Sequence, residues 1–176
     1  MTPTAPEFSR PLRLDQIGQG EHEVTVSATP DERTALARRF ELAALDRLEA
    51  TYRVRSDAAG IVASGHLSAT ATQVCVATGE DVPARIEEDF DLRFLPEDEP
   101  EGDEIELDPE ACDTMFYTGS AIDLGEAAAE TLLLALDPYP RAPGADAVLR
   151  EAGVIREEDA RPVSAFAALK DQMGKA

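Results

Sequence analysis

A chain of 176 residues with 36 acidic and 16 basic side chains carries a net charge of −20. That balance opposes direct grip on a phosphate backbone or an anionic membrane surface, both of which need clustered cations. Hydrophobic residues make up 43%, aromatics only 5% and Trp is absent, so a core must rest on Leu, Val, Ile and Ala.

The length fits a single domain spanning 1–176, with 1–7 and about 141–176 expected to be extended or partly flexible. Two cysteines are too few for a disulfide scaffold. The N-terminus has no apolar stretch of signal-peptide length, and no segment nears the ~20 apolar residues of a membrane span. A cytoplasmic location is the expectation.

The first predicted strand is FSRPLRLDQI, with Leu12 and Leu14 on one face, and HEVTVSA is the second, with Val24 and Val26 inward. Thr29-Pro30-Asp31-Glu32 then opens a helix. Thr29 suits the N-cap, Pro30 the first helical position and Glu32 the third position of a capping box. Leu36, Phe40, Ala43 and Ala44 recur at helical spacing, which predicts a helix ending near Asp46.

From Leu48 the period becomes two. Leu48, Ala50, Tyr52 and Val54 share one face, and Arg53 and Arg55 the other. A turn at 57–60 leads into a long β-rich run from Ile61 to Thr78, in which Gly65 marks a bulge or bend. RIEEDFDLRFLP gives a further strand with Ile86, Phe90, Leu92 and Phe94 as its apolar set. Within the acidic stretch after it, Pro96 to Glu104 reads as a solvated loop and Ile105 to Leu107 as a brief return to the sheet.

DLGEAAAETLLLAL is the second helix, with Asp123 as N-cap and Glu126 completing a capping box. Capping alone accounts for both residues. Leu132, Leu133, Leu134 and Leu136 cover more than one stripe, which predicts deep burial or a docking face. Pro138 and Pro140 stop the helix, and RPVSAFAALKDQM forms a short C-terminal helix or tail. The pattern as a whole predicts an α+β fold: an antiparallel sheet that could close into a barrel-like form, with two main helices.

Residues 85–110 hold 13 acidic and 2 basic side chains, a net of −11. With Gly102 set at the sixth position of a calcium loop, Glu97, Glu99 and Glu101 fall at one, three and five, and Asp108 at twelve. The first and twelfth positions carry the wrong acids and Pro100 breaks the turn, so a solvated acidic loop is the better reading. Cys75, Cys112, His22 and His66 could supply zinc ligands, but their spacing follows no finger or ribbon pattern. Free cysteines are the ordinary reading, and neither a metal nor another cofactor is expected. No nucleophile elbow, Walker loop or G-x-G-x-x-G is present, and with so many carboxylates no catalytic pair stands out.

CVATGEDVPARIEEDFDLRF, IDLGEAAAETLLLALDPYPRAPGA and PVSAFAALKDQ resemble, in that order, three motifs of the YceD family, the large ribosomal RNA subunit accumulation proteins. The residues that carry the resemblance are Cys75, Phe90 and Phe94; Asp123, Leu124, Gly125, Glu126, Leu134, Pro138 and Pro140; then Phe166 and Leu169. The resemblance spans about 70 to the end. It implies a non-enzymatic factor that supports accumulation of large-subunit ribosomal RNA and assembly of the large ribosomal subunit in bacteria and plastids. Many members carry CxxC-type pairs at both cysteine places; here Thr78 stands in one and Cys112 is alone. Combined with the acidity, the resemblance implies binding to a basic ribosomal protein or assembly factor. The rivals are a metal-dependent RNA-processing enzyme and an acidic interaction module unrelated to ribosomes.

Overall fold

The computed structural model describes residues 6–18, 20–58, 60–97 and 113–154. It is an α+β fold built on a five-stranded sheet in the order β2-β3-β4-β5-β6, where β2 is His22–Ser27, β3 Ala44–Asp57, β4 Gly60–Val74, β5 Asp81–Pro96 and β6 Asp113–Tyr117. A two-stranded sheet pairs β1 (Pro11–Arg13) with β7 (Ala121–Asp123). The helices are α1 (Pro30–Arg39), α2 (Leu124–Ala135) and α3 (Ala145–Glu151).

Strands β2 to β5 pair antiparallel, but β6 runs parallel to β5, so the sheet is mixed rather than wholly antiparallel. The two sheets have separate strand orders, and no closed barrel forms among the described residues.

Side-chain alternation puts Leu48, Ala50, Tyr52 and Val54 of β3 on one face with Ala63, Leu67 and Ala69 of β4 and Ile86, Phe90, Leu92 and Phe94 of β5, and all are buried. Helix α1 packs on β3, while α2 packs across β4 and β5. The other face is polar and open. There His66 stands between Asp89 (2.7 Å) and Glu87 (3.1 Å), and both carboxylates, Asp89 first, raise its pKa.

Helix α1 begins as its sequence dictates. The Glu32 N–H donates to Thr29 Oγ1, and the Thr29 N–H donates to the Glu32 carboxylate. It stops at Arg39, not near Asp46. The N–H groups of Glu41 and Leu42 return to the carbonyls of Arg38 and Ala37, and Glu41 takes the left-handed conformation, φ 56°. Glycine is the usual residue in such a closing turn, so the stop carried no sequence signal. Ala43 then already bonds Thr72 of the sheet. The register shift expected at Gly65 falls instead between Leu45 and Arg47, and this keeps Leu45 and Leu48, three apart, both buried.

Gly65 serves close approach. It pairs with Tyr52 on one side and Phe90 on the other, and those two rings meet over it with centroids 5.0 Å apart. A Cβ there would lie 2.7 Å from Phe90 Cζ and would also strike the Thr51 carbonyl oxygen.

The segment before β1 is held by charge. Arg10 forms a two-pronged pair with Glu32 at 2.7 and 2.8 Å and donates to the Ser27 carbonyl. This Arg10 bond holds the Glu32 carboxyl at about 2.

Gly65→Ala is expected to cost roughly 1–3 kcal/mol in urea unfolding through overpacking. Adding Phe90→Leu should recover only part of that loss, because the Thr51 carbonyl stays in place. The depressed Glu32 pKa contributes stability that is complete above the unfolded-chain value and is lost as pH falls through the folded one. The difference in unfolding midpoint between the native chain and Arg10→Gln should therefore shrink between about pH 5 and pH 2; a constant difference would contradict the pairing.

Candidate functional site

A cleft of about 380 Å³ lies between α2, β5 and β6, lined among others by Glu88, Phe90, Leu92, Asp113, Met115, Glu130, Leu134 and Ala135. Asp89 and Asp91 border it from the opposite phase of β5, where Asp89 is held by His66, so the carboxylates on the cleft side are Glu88, Asp113 and Glu130, with no cation among the described lining residues. The elements place these groups simply. On β5, Glu88 shares the inward phase of Ile86, Phe90, Leu92 and Phe94, and Asp113 pairs with Leu92 across the parallel register. On α2, Glu130 and Leu134 are one turn apart and lie on the same side of the helix.

Burial, first, and the nearby Glu126, second, raise the Glu130 pKa, while Arg39 opposes them. A carboxyl whose pKa is raised on folding loses stability as pH rises through that value, so Glu130 carries its charge near neutrality at a cost. The apolar side of the site is equally unsatisfied. Leu133 is 48% and Leu134 78% exposed, whereas Leu132 is fully buried and Leu136 nearly so. The leucine run thus divides between core and surface.

The sequence reading missed Glu88 and Glu130. A signal existed for each: Glu88 interrupts an apolar alternation, and Glu130 interrupts AAAETLLLAL.

The other singled-out residues fall in three places. Phe90 and Phe94 are core. Asp123 to Glu126 form the seat of the N-terminal segment. Asp123 caps α2 by accepting from the N–H groups of Gly125 (3.0 Å) and Glu126 (3.2 Å), and it accepts from the Arg10 N–H (2.7 Å) and the Ser9 hydroxyl (2.5 Å). The Leu124 carbonyl accepts from the buried Tyr52 hydroxyl at 2.8 Å. A Cβ on Gly125 would lie 2.5 Å from the Phe8 carbonyl oxygen and 2.9 Å from the Arg10 nitrogen, so glycine lets that segment pass. The reciprocal capping bond expected of Glu126 is not made; its carboxylate holds Arg39 at 2.6 and 3.0 Å instead.

Cys75 and Pro140 form the third place. The Cys75 sulfur accepts from the N–H groups of Ala142 (3.2 Å) and Thr78 (3.4 Å), and the Pro140 carbonyl accepts from Val76. Hydrogen bonds to the sulfur, the Ala142 N–H first and the Thr78 side chain second, bring the thiol down to about 7, although Cys75 is buried. Pro140 is buried and Pro138 exposed. Helix α3 follows from this anchor, in a stretch where the sequence suggested no element.

The residues at Cys75 do not fit a tetrahedral thiolate site. Thr78 supplies a hydroxyl where a second thiol would be needed, and it donates to Glu80. His66 lies nine positions before Cys75, on the order of 30 Å along an extended strand. Among the described residues no group of three or more His, Cys, Asp or Glu is placed to hold a metal ion. Cys112, Phe166, Leu169, the calcium-loop positions from Glu99 to Asp108, the strand at Ile105 to Leu107 and the RPVSAFAALKDQM helix lie outside the described residues. No helix among those described is long and apolar enough to cross a membrane.

The model of one protein family, described as large ribosomal RNA subunit accumulation protein YceD, matches residues 63–171. Comparison with curated proteins and with solved structures gave no match.

Asp123→Ala strips an acceptor from four donors and is expected to cost about 2–4 kcal/mol, beyond a simple N-cap loss. Asp123→Asn, which keeps one carbonyl oxygen, should cost less. An unchanged urea midpoint in the alanine variant would mean that the N-terminal segment is not held there.

Proposed function

The chain belongs to the YceD family, and from that premise we propose that it supports accumulation of large-subunit ribosomal RNA and large-subunit assembly without catalysing a reaction, by binding a basic ribosomal protein or assembly factor. The observation that carries the reading is the cleft beside α2, where carboxylates and surface leucines lie together with no cation on the lining. Phosphate contacts need Lys and Arg in clusters, and this chain of net charge −20 repels a polyanion. Its field attracts a cationic protein, and an apolar contact then slows release. Binding of this kind would keep a basic partner off unspecific RNA until its place on the assembling subunit is ready.

The test is affinity capture from cell extract with the full chain at low and at high salt, with ribosome profiles of a depleted strain beside it. The expected result is recovery of a basic large-subunit protein or assembly factor, stronger at low salt, together with a deficit of large subunits on depletion. Recovery of no such protein at either salt would overturn the binding step. Magnesium-dependent cleavage of precursor ribosomal RNA by the pure protein would overturn the non-enzymatic reading.

A further inference from the structure

Among the described residues, helix α2 has a face that nothing covers. Leu134 stands in solvent on the lining of a groove that Phe90, Leu92 and Met115 also line, and Leu133 beside it in sequence is half exposed. Glu130 lies about one turn before Leu134 on the same side, about 6 Å along the axis. Across the groove, β5 and β6 present Glu88 and Asp113.

We propose that this groove seats an amphipathic helix of a partner protein, carrying an Arg or Lys one turn from an aliphatic side chain. The cation enters between Glu130, Glu88 and Asp113, and the aliphatic group lies on Leu134. The proposal deepens the reading given above and rests on it for the partner's basic character; the groove determines the partner's shape.

Three observations favour this occupant. The charge on the lining is all of one sign, so a cation is needed to complement it. The apolar surface lies at the lip as well as the floor, so a bare polycation would leave the leucines wet. The acid and the leucine are offset by one helical turn, and the i, i+4 spacing of a docked helix reproduces that offset. Glu130 also pays for its ionised state in the free protein, and a cation beside it removes that penalty.

The probe is a synthetic, capped helical peptide of Arg, Leu and Ala with Arg and Leu at i and i+4, added to the full chain. Amide shifts should move at Glu88, Met115, Glu130 and Leu134. Affinity should fall about fivefold or more in Glu130→Gln, in Glu88→Gln and in Leu134→Ser, and should fall with salt. Glu23→Gln on the edge strand β2 should leave it unchanged. Glu130→Gln should unfold at a pH 7 urea midpoint no lower than the native chain, so its loss of binding cannot be a folding defect.

Shifts confined to other surfaces overturn the proposal, as does equal affinity for spermidine, which has no aliphatic side chain to cover Leu134. Sedimentation showing a dimer that buries these same residues before peptide is added also overturns it, because the occupant is then a second copy. The capture experiment separates the two claims. Capture of a ribosomal partner unaffected by Leu134→Ser leaves the functional reading standing and removes the groove. Peptide seated in the groove with no ribosomal partner captured does the reverse.

Discussion

Gly65 has no side chain where Tyr52 and Phe90 close over it from the strands on either side, and the inner face of the sheet is arranged around that gap. Because the Tyr52 ring can lie across the glycine, its hydroxyl reaches the Leu124 carbonyl at 2.8 Å, at the first residue of α2. The hydroxyl is deeply buried and its ionisation is suppressed by desolvation. It therefore acts as a neutral donor that ties the first residue of α2, whose start Asp123 caps, to the inner face of the sheet. The cleft is a consequence, since it is the space that α2, so placed, leaves beside β5 and β6.

The Asp-Leu-Gly-Glu run at the start of α2 gains a physical meaning from this arrangement. Asp123 and Gly125 hold and admit the segment through Phe8 and Arg10, Leu124 is core, and Glu126 fixes Arg39 of α1. The residues that answer this run, namely Phe8, Arg10, Arg39 and Tyr52, all precede residue 63, where the family match begins. The first third of the chain is therefore part of the same packing unit as the matched region. Cys75 has a comparable role at the far end of β4, where its sulfur accepts N–H groups from the segment after Pro140.

Charge is distributed by the fold in two ways. Arg10 and Arg39 are spent on internal pairs with Glu32, Glu126 and Glu7, which link the N-terminal segment, α1 and α2. Among the described lining residues no cation accompanies Glu88, Asp113 and Glu130, and the last is held above its ordinary pKa. Such an imbalance costs stability, which gives a physical reason to look there for a partner's cation.

Much was determined by the sequence alone. Period-two alternation placed Leu48 to Val54 and Ile86 to Phe94 in the core, and the Thr29 and Asp123 caps located both main helix starts, because these signals are local and every copy of the pattern folds against the same solvent. Tertiary structure decided the rest. The end of α1 depends on a left-handed Glu41 that no glycine announces. The parallel pairing of β6, the seat of α3 at Cys75 and the role of Gly65 all depend on residues distant in the chain. The cleft belongs to this second group. Glu88 and Glu130 each break an apolar pattern in plain sight, but 41 positions separate them from each other. Only the packing of α2 over β5 brings two isolated irregularities into one acidic, leucine-edged groove.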